Sequence, residues 1–104
     1  MKTAITSKDN KTASLFDLRF GRGAWFCVYD SETRTTEFIK NEFADAQSGA
    51  GTKAAEKMLE LGVRKLISGD FGSKAKEILT QFNIQMVILD DEEKTINDII
   101  MLIS

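Results

Sequence analysis

Three short glycine-bearing segments carry the residue types best suited to chemistry in this chain. Leu18-Arg19-Phe20-Gly21-Arg22-Gly23 offers two guanidinium groups around an aromatic ring and a glycine. Ser48-Gly49-Ala50-Gly51 and Gly69-Asp70-Phe71-Gly72 each stand just ahead of helix-like sequence. Arginine supplies planar, paired donors suited to anions. Backbone N–H groups at a helix start also favour negative charge. The plainer readings are a solvated loop whose arginines pair with local acids such as Asp17, and glycine turns that need positive φ. Asp70 would oppose an anion if it pointed inward, so its expected role is to cap backbone N–H groups.

Other chemistries find little support. The chain has no histidine, which removes the commonest general base and the commonest metal ligand. None of the glycine segments has Walker A spacing with its lysine. Two-metal nuclease chemistry needs carboxylates converging from strands, and the expected strands carry only Asp30, at an end, and Glu37. Asp90 to Glu93 form an acidic run without calcium-loop spacing. Cys27 sits between Phe26 and Val28 and reads as a small buried hydrophobe. No catalytic residue and no metal-ligating residue is assigned, and an enzyme is not expected.

With 104 residues, the chain fits a single domain over 1–104. Its net charge of −2 and the spread of its 14 basic residues give no field or patch for nucleic acid. A lone cysteine allows no intramolecular disulfide and suits a reducing compartment. Met1 to Asp9 lacks signal-peptide features, and no apolar run approaches the roughly 20 residues of a membrane span. A cytoplasmic monomer is expected.

The elements that must position the three segments follow from periodicity. Strands are expected at Thr3–Ser7, Ala24–Asp30, Thr35–Lys40, Val63–Ser68 and Ile84–Leu89, the last read as a buried parallel strand. Helices are expected over Thr52–Leu61, with Gly62 as its stop, and from an N-cap at Ser73 to Phe82. A last helix carries Ile96, Ile99, Ile100 and Ile103, with Asp90 to Glu93 at its start. The order β-β-β-α-β-α-β-α implies parallel strands with right-handed crossovers in the second half and a hairpin at strands two and three. One strand, the second, should then be antiparallel. With the first strand pointing up, all three glycine segments meet at the carboxyl edge of the parallel strands, where open α/β sheets bind ligands.

In these segments the chain resembles the dinitrogenase iron–molybdenum cofactor biosynthesis family. The resemblance rests on Met1-Lys2-Thr3-Ala4-Ile5, Arg19-Phe20-Gly21-Arg22, Trp25-Phe26, Gly49-Ala50-Gly51 leading into Ala54-Ala55, Leu61-Gly62-Val63, and Ile67-Ser68-Gly69 with Gly72. These occur in order from Met1 to about Leu89. The resemblance implies an α/β, three-layer ribonuclease-H-like fold with a mixed five-stranded sheet and helices on both faces. It also implies a metal–sulfur cluster or its precursor at the top edge, and cofactor-assembly proteins as partners. Many relatives place a histidine just before the Gly-Ala-Gly turn. Here Gln47 and Ser48 stand there, and neither is a ligand for a soft metal centre.

The expected function is therefore a small carrier or accessory protein for an anionic ligand such as an iron–molybdenum or other metal–sulfur cluster. The expected ligand-binding residues are Arg19, Phe20, Gly21, Arg22, Ser48, Gly49, Ala50, Gly51, Gly69 and Gly72. The alternative is a protein-interaction or regulatory module that kept the fold and lost the cluster.

Overall fold

A computed structural model describes residues 1–104. The elements are β1 (Lys2–Ser7), β2 (Trp25–Asp30), β3 (Thr35–Lys40), α1 (Ala50–Leu61), β4 (Val63–Ser68), α2 (Ser73–Gln81), β5 (Gln85–Ile88) and α3 (Ile96–Ile103). The five strands form one mixed sheet in the order β3-β2-β1-β4-β5. Both antiparallel pairs are made by β2, with β1 and with β3. The β1·β4 and β4·β5 pairs are parallel.

Strand alternation divides the core into two layers. Ala4, Phe26, Val28 and Leu66 face one side, where Ala54, Ala55 and Met58 of α1 and Ala75 and Leu79 of α2 cover them. Ile5, Cys27 and Ile67 face the other side and pack under Ile96 and Ile99 of α3. The sheet thus has two helices on one face and one on the other. No helix is long and apolar enough to cross a membrane.

Several boundaries differ from the sequence expectation. β1 begins one residue earlier, at Lys2, and β2 one residue later, at Trp25. The helix expected from Thr52 begins at Ala50, so Gly51 lies inside its first turn and Gly49 is the N-cap, at φ 73°. Ser73 does not cap α2. Gly72 does, at φ 72° and ψ 158°, a backbone region essentially reserved for glycine. α3 starts beyond the acidic run. Its cap is Thr95, whose hydroxyl accepts from Asp98 N–H while the Asp98 carboxylate accepts from Thr95 N–H. Asp90 to Glu93 lie in the preceding loop, where Asp91 pairs with Lys94 and Glu92 with Lys8. The apolar run expected as a buried strand over Ile84–Leu89 gives only Gln85–Ile88, at the sheet edge. Ile88 there is 59% exposed, because β5 has a neighbour on one side only.

Candidate functional site: a cleft between two helix starts

The loop after β1 is built to bring its arginines to the carboxyl edge. Asp17 N–H donates to Thr6 O (2.9 Å), and the Thr6 hydroxyl donates back to Asp17 O. Thr6 also shares a 2.8 Å hydrogen bond with Ser68, and both side chains are fully buried. The chain then runs extended beside the segment after β4. Gly69 N–H donates to Leu18 O (3.1 Å) and Phe20 N–H to Asp70 O (3.2 Å). Extended backbone sends neighbouring side chains to opposite sides, so Arg19 turns outward and Phe20 inward.

This geometry keeps three of the expected ligand residues, Phe20, Ser48 and Gly69, out of the cleft. Phe20 is 1% exposed and packs against Phe71 and Phe26, with ring centroids 5.3 Å and 5.8 Å away. It is a core residue beneath the site, not a wall of it. Gly69 is likewise taken up in pairing with Leu18, and neither it nor Ser48 reaches the cleft.

The remaining expected residues do come together. Arg19, Gly21, Arg22, Gly49, Ala50, Gly51 and Gly72 line one cleft of about 480 Å³. Thr52, Asp70, Phe71, Ser73, Lys74 and Ala75 complete it. From the sequence Ser73 reads only as a helix cap, and Lys74 carries no site signal of its own beyond its place in the first turn of α2. A lysine in a first helical turn at that edge was the available signal.

The cleft lies between the first turns of α1 and α2. A Cβ at Gly51 would sit 3.6 Å from the Ala75 Cβ, so the two turns are in contact. Gly21 lets the arginine loop join them: a Cβ there would stand 2.8 Å from Gly51 N and 2.9 Å from Gly51 Cα. The first helical bonds are Lys53 N–H to Gly49 O (2.9 Å) and Lys76 N–H to Gly72 O (3.1 Å). The N–H groups of Ala50, Gly51, Thr52, Ser73, Lys74 and Ala75 precede them and have no helical partner. Neither helix has a side-chain cap or an acid in its first turn. Each start therefore presents about half a positive charge to the cleft.

The two arginines are held differently. Arg19 Nε and Nη2 donate to Asp17 Oδ1 and Oδ2, both at 3.1 Å, and its backbone N–H donates to Oδ1 at 2.9 Å. Asp17 is 2% exposed, whereas the Arg19 side chain is 65% exposed. Burial pushes the Asp17 carboxyl up, but hydrogen bonds from Arg19 and the charges of Arg19 and Lys8 outweigh it and hold the group below its ordinary value. The same pair raises the Arg19 guanidinium. Arg22 Nη1 instead donates to the Ala44 carbonyl (3.1 Å) and the Ala46 carbonyl, fastening the β3–α1 loop. Asn41 adds to that tie, donating from Nδ2 to Gly21 O and Gly23 O at 2.9 Å each. Asp70 caps Gly72 N–H at 3.2 Å, as its sequence position led one to expect.

A family model for the dinitrogenase iron–molybdenum cofactor matches residues 1–104. The chain belongs to this family. Among solved structures, the apo form of the orange protein from Desulfovibrio gigas is 30% identical over 98% of this chain and 85% of its own, with a TM-score of 0.90. A NifB-like protein of the DUF35 family from Thermotoga is 27% identical over 98% of this chain and 85% of its own, with a TM-score of 0.83. No curated protein matches the chain. Membership makes this a small cofactor-related protein. No group of three or more Cys, His, Asp or Glu side chains is gathered to hold a metal ion. Cys27 is fully buried on the α3 face. The donor set fits an anion whose metals already carry their own sulfur ligands, met by N–H groups and cations.

Proposed function

We propose that the protein is a non-catalytic carrier or accessory protein that holds an anionic metal–sulfur cluster, of iron–molybdenum or related type, in the cleft between α1 and α2. The observation that carries this reading is the convergence of two uncapped helix starts with Arg19, Arg22 and Lys74 on one cleft. Every charged side chain there except Asp70 is a cation. Family membership supplies the ligand class. The N–H groups of Ala50–Thr52 and Ser73–Ala75 would donate to cluster sulfurs, and the free guanidinium edges would neutralise its charge. Gly21, Gly49, Gly51 and Gly72 keep the backbone within reach.

With two helices on one sheet face and one on the other, the architecture suits assignment as a three-layer ribonuclease-H-like domain. A cytoplasmic monomer that exchanges its cargo with cofactor-assembly proteins accords with this reading. The test is expression in a host replete in iron and molybdenum, followed by elemental analysis and visible absorption. Wild type should retain metal with a sulfur-to-metal charge-transfer band, and an Arg22→Glu, Lys74→Glu variant should lose both. A folded wild type that never takes up metal, from the host or from added clusters, would instead favour the interaction module that lost its cluster.

A further inference from the structure

Asp17 is the one fully enclosed carboxylate in the molecule, and it does not itself line the cleft. Its main chain is fixed at both N–H and C=O by Thr6. Its carboxylate receives three hydrogen bonds, all from Arg19. Gly23 makes the space: a Cβ there would stand 3.3 Å from the Asp17 carboxyl carbon, 3.4 Å from Oδ2 and 2.6 Å from Arg19 O. Gly23 N–H in turn closes the loop on Arg19 O at 2.9 Å.

The pairing spends Nε–H and one Nη2–H of the guanidinium. It leaves both Nη1 hydrogens and the second on Nη2 free. Arg19 also lines the cleft. An exposed arginine would otherwise lose rotamer freedom on meeting a ligand. We infer that Asp17 is a positioning residue for the cleft: it acts through Arg19, fixing the guanidinium so that its free edge is set for an anion before one arrives. The acid beside the arginine, which looks like a competitor for the ligand, is then the reason the arginine is ready. This inference rests on anion binding in the cleft.

The test is a double-mutant cycle on the affinity of the folded protein for tetrathiomolybdate, a simple molybdenum–sulfur anion, using Asp17→Asn, Arg19→Gln and the pair. Acting through Arg19, Asp17→Asn should weaken binding about tenfold alone and less than about twofold in the Arg19→Gln background. Equal weakening in both backgrounds would make Asp17 merely structural and overturn the inference, leaving the binding reading intact. Absence of binding by wild type would overturn both. A wild-type measurement covers the case in which Asp17→Asn does not fold. The Arg19 Nε–H resonance should be slowly exchanging without the anion and stay so when it binds. An averaged, fast-exchanging Arg19 signal in the anion-free protein would overturn the inference.

Discussion

Arg19 and Arg22 are three residues apart and both line the cleft, yet neutralising them should have unequal consequences for the fold. Arg19→Gln removes two charge-assisted hydrogen bonds from a carboxylate that is 2% exposed. Such bonds contribute about 1.5–3 kcal/mol each when shielded from water. Arg19 itself is 65% exposed, so solvent screening reduces that figure. The backbone N–H at 2.9 Å still serves Oδ1. A net loss of about 2 kcal/mol follows, which for a chain this short is a fall in Tm of about 8–16 °C. Arg22→Gln removes bonds to two loop carbonyls, at Ala44 and Ala46, which water can serve instead. Its cost should stay below about 1 kcal/mol. Both variants should weaken anion binding. The assay is thermal unfolding by circular dichroism at low and high salt, paired with calorimetric titration of tetrathiomolybdate. Equal Tm losses for the two variants, or a larger loss for Arg22→Gln, would refute the division of roles.

Further expectations follow from single contacts. Gly21→Ala should cost about 1–3 kcal/mol, because the new Cβ meets Gly51 backbone at 2.8–2.9 Å; urea unfolding would register it, and an unchanged midpoint would contradict the close approach. The Asp17 carboxyl titrates below its ordinary 3.8 in the folded chain, so the stability it contributes is present above that pH and lost as pH falls below it. Acid unfolding of Asp17→Asn should consequently lack the steep segment that wild type shows there. Burial pushes the Cys27 thiol up from 9.0 to about 12. A group with a raised folded value contributes stability below its unfolded value, so the protein should lose stability as pH climbs from about 9 toward 12. The same burial predicts slow labelling of native Cys27 by thiol reagents, accelerating on unfolding, and rapid native labelling would contradict it.

Much of the architecture was legible because local signals agreed with the fold. β3 and β4 occupy the expected residues, each bounded by polar turns or by glycine. The departures have physical causes that local patterns do not carry. Ala50-Gly51 reads as loop because glycine weakens a helix. α1 includes it because the left-handed Gly49 and the packing of Gly51 against Gly21 and Ala75 set the start. Four acids looked like the opening of α3, while the Thr95–Asp98 pair that does the capping lay two residues beyond them. β5 reads as buried from composition, but only strand order puts it at an edge. In the site, the arginines and glycines were visible as a set. Phe20 enters the expected ligand set only through the family resemblance of Arg19-Phe20-Gly21-Arg22, and the bridge of Arg19 to Asp70 turns it inward. From the sequence, pairing of Arg19 with Asp17 reads as an alternative to ligand binding. The buried geometry lets both hold, since the ion pair leaves one edge of Arg19 free.

Amide NMR reads out whether an anion sits between the starts of α1 and α2. Tetrathiomolybdate titrated into uniformly ¹⁵N-labelled wild type should shift the N–H resonances of Ala50, Gly51, Thr52, Ser73, Lys74 and Ala75 together, with one saturating curve. The amides of β3, which lies at the far edge of the sheet, should stay in place. Saturable binding that moves other amides and leaves these six unchanged would place the anion elsewhere and rule out the cleft between α1 and α2.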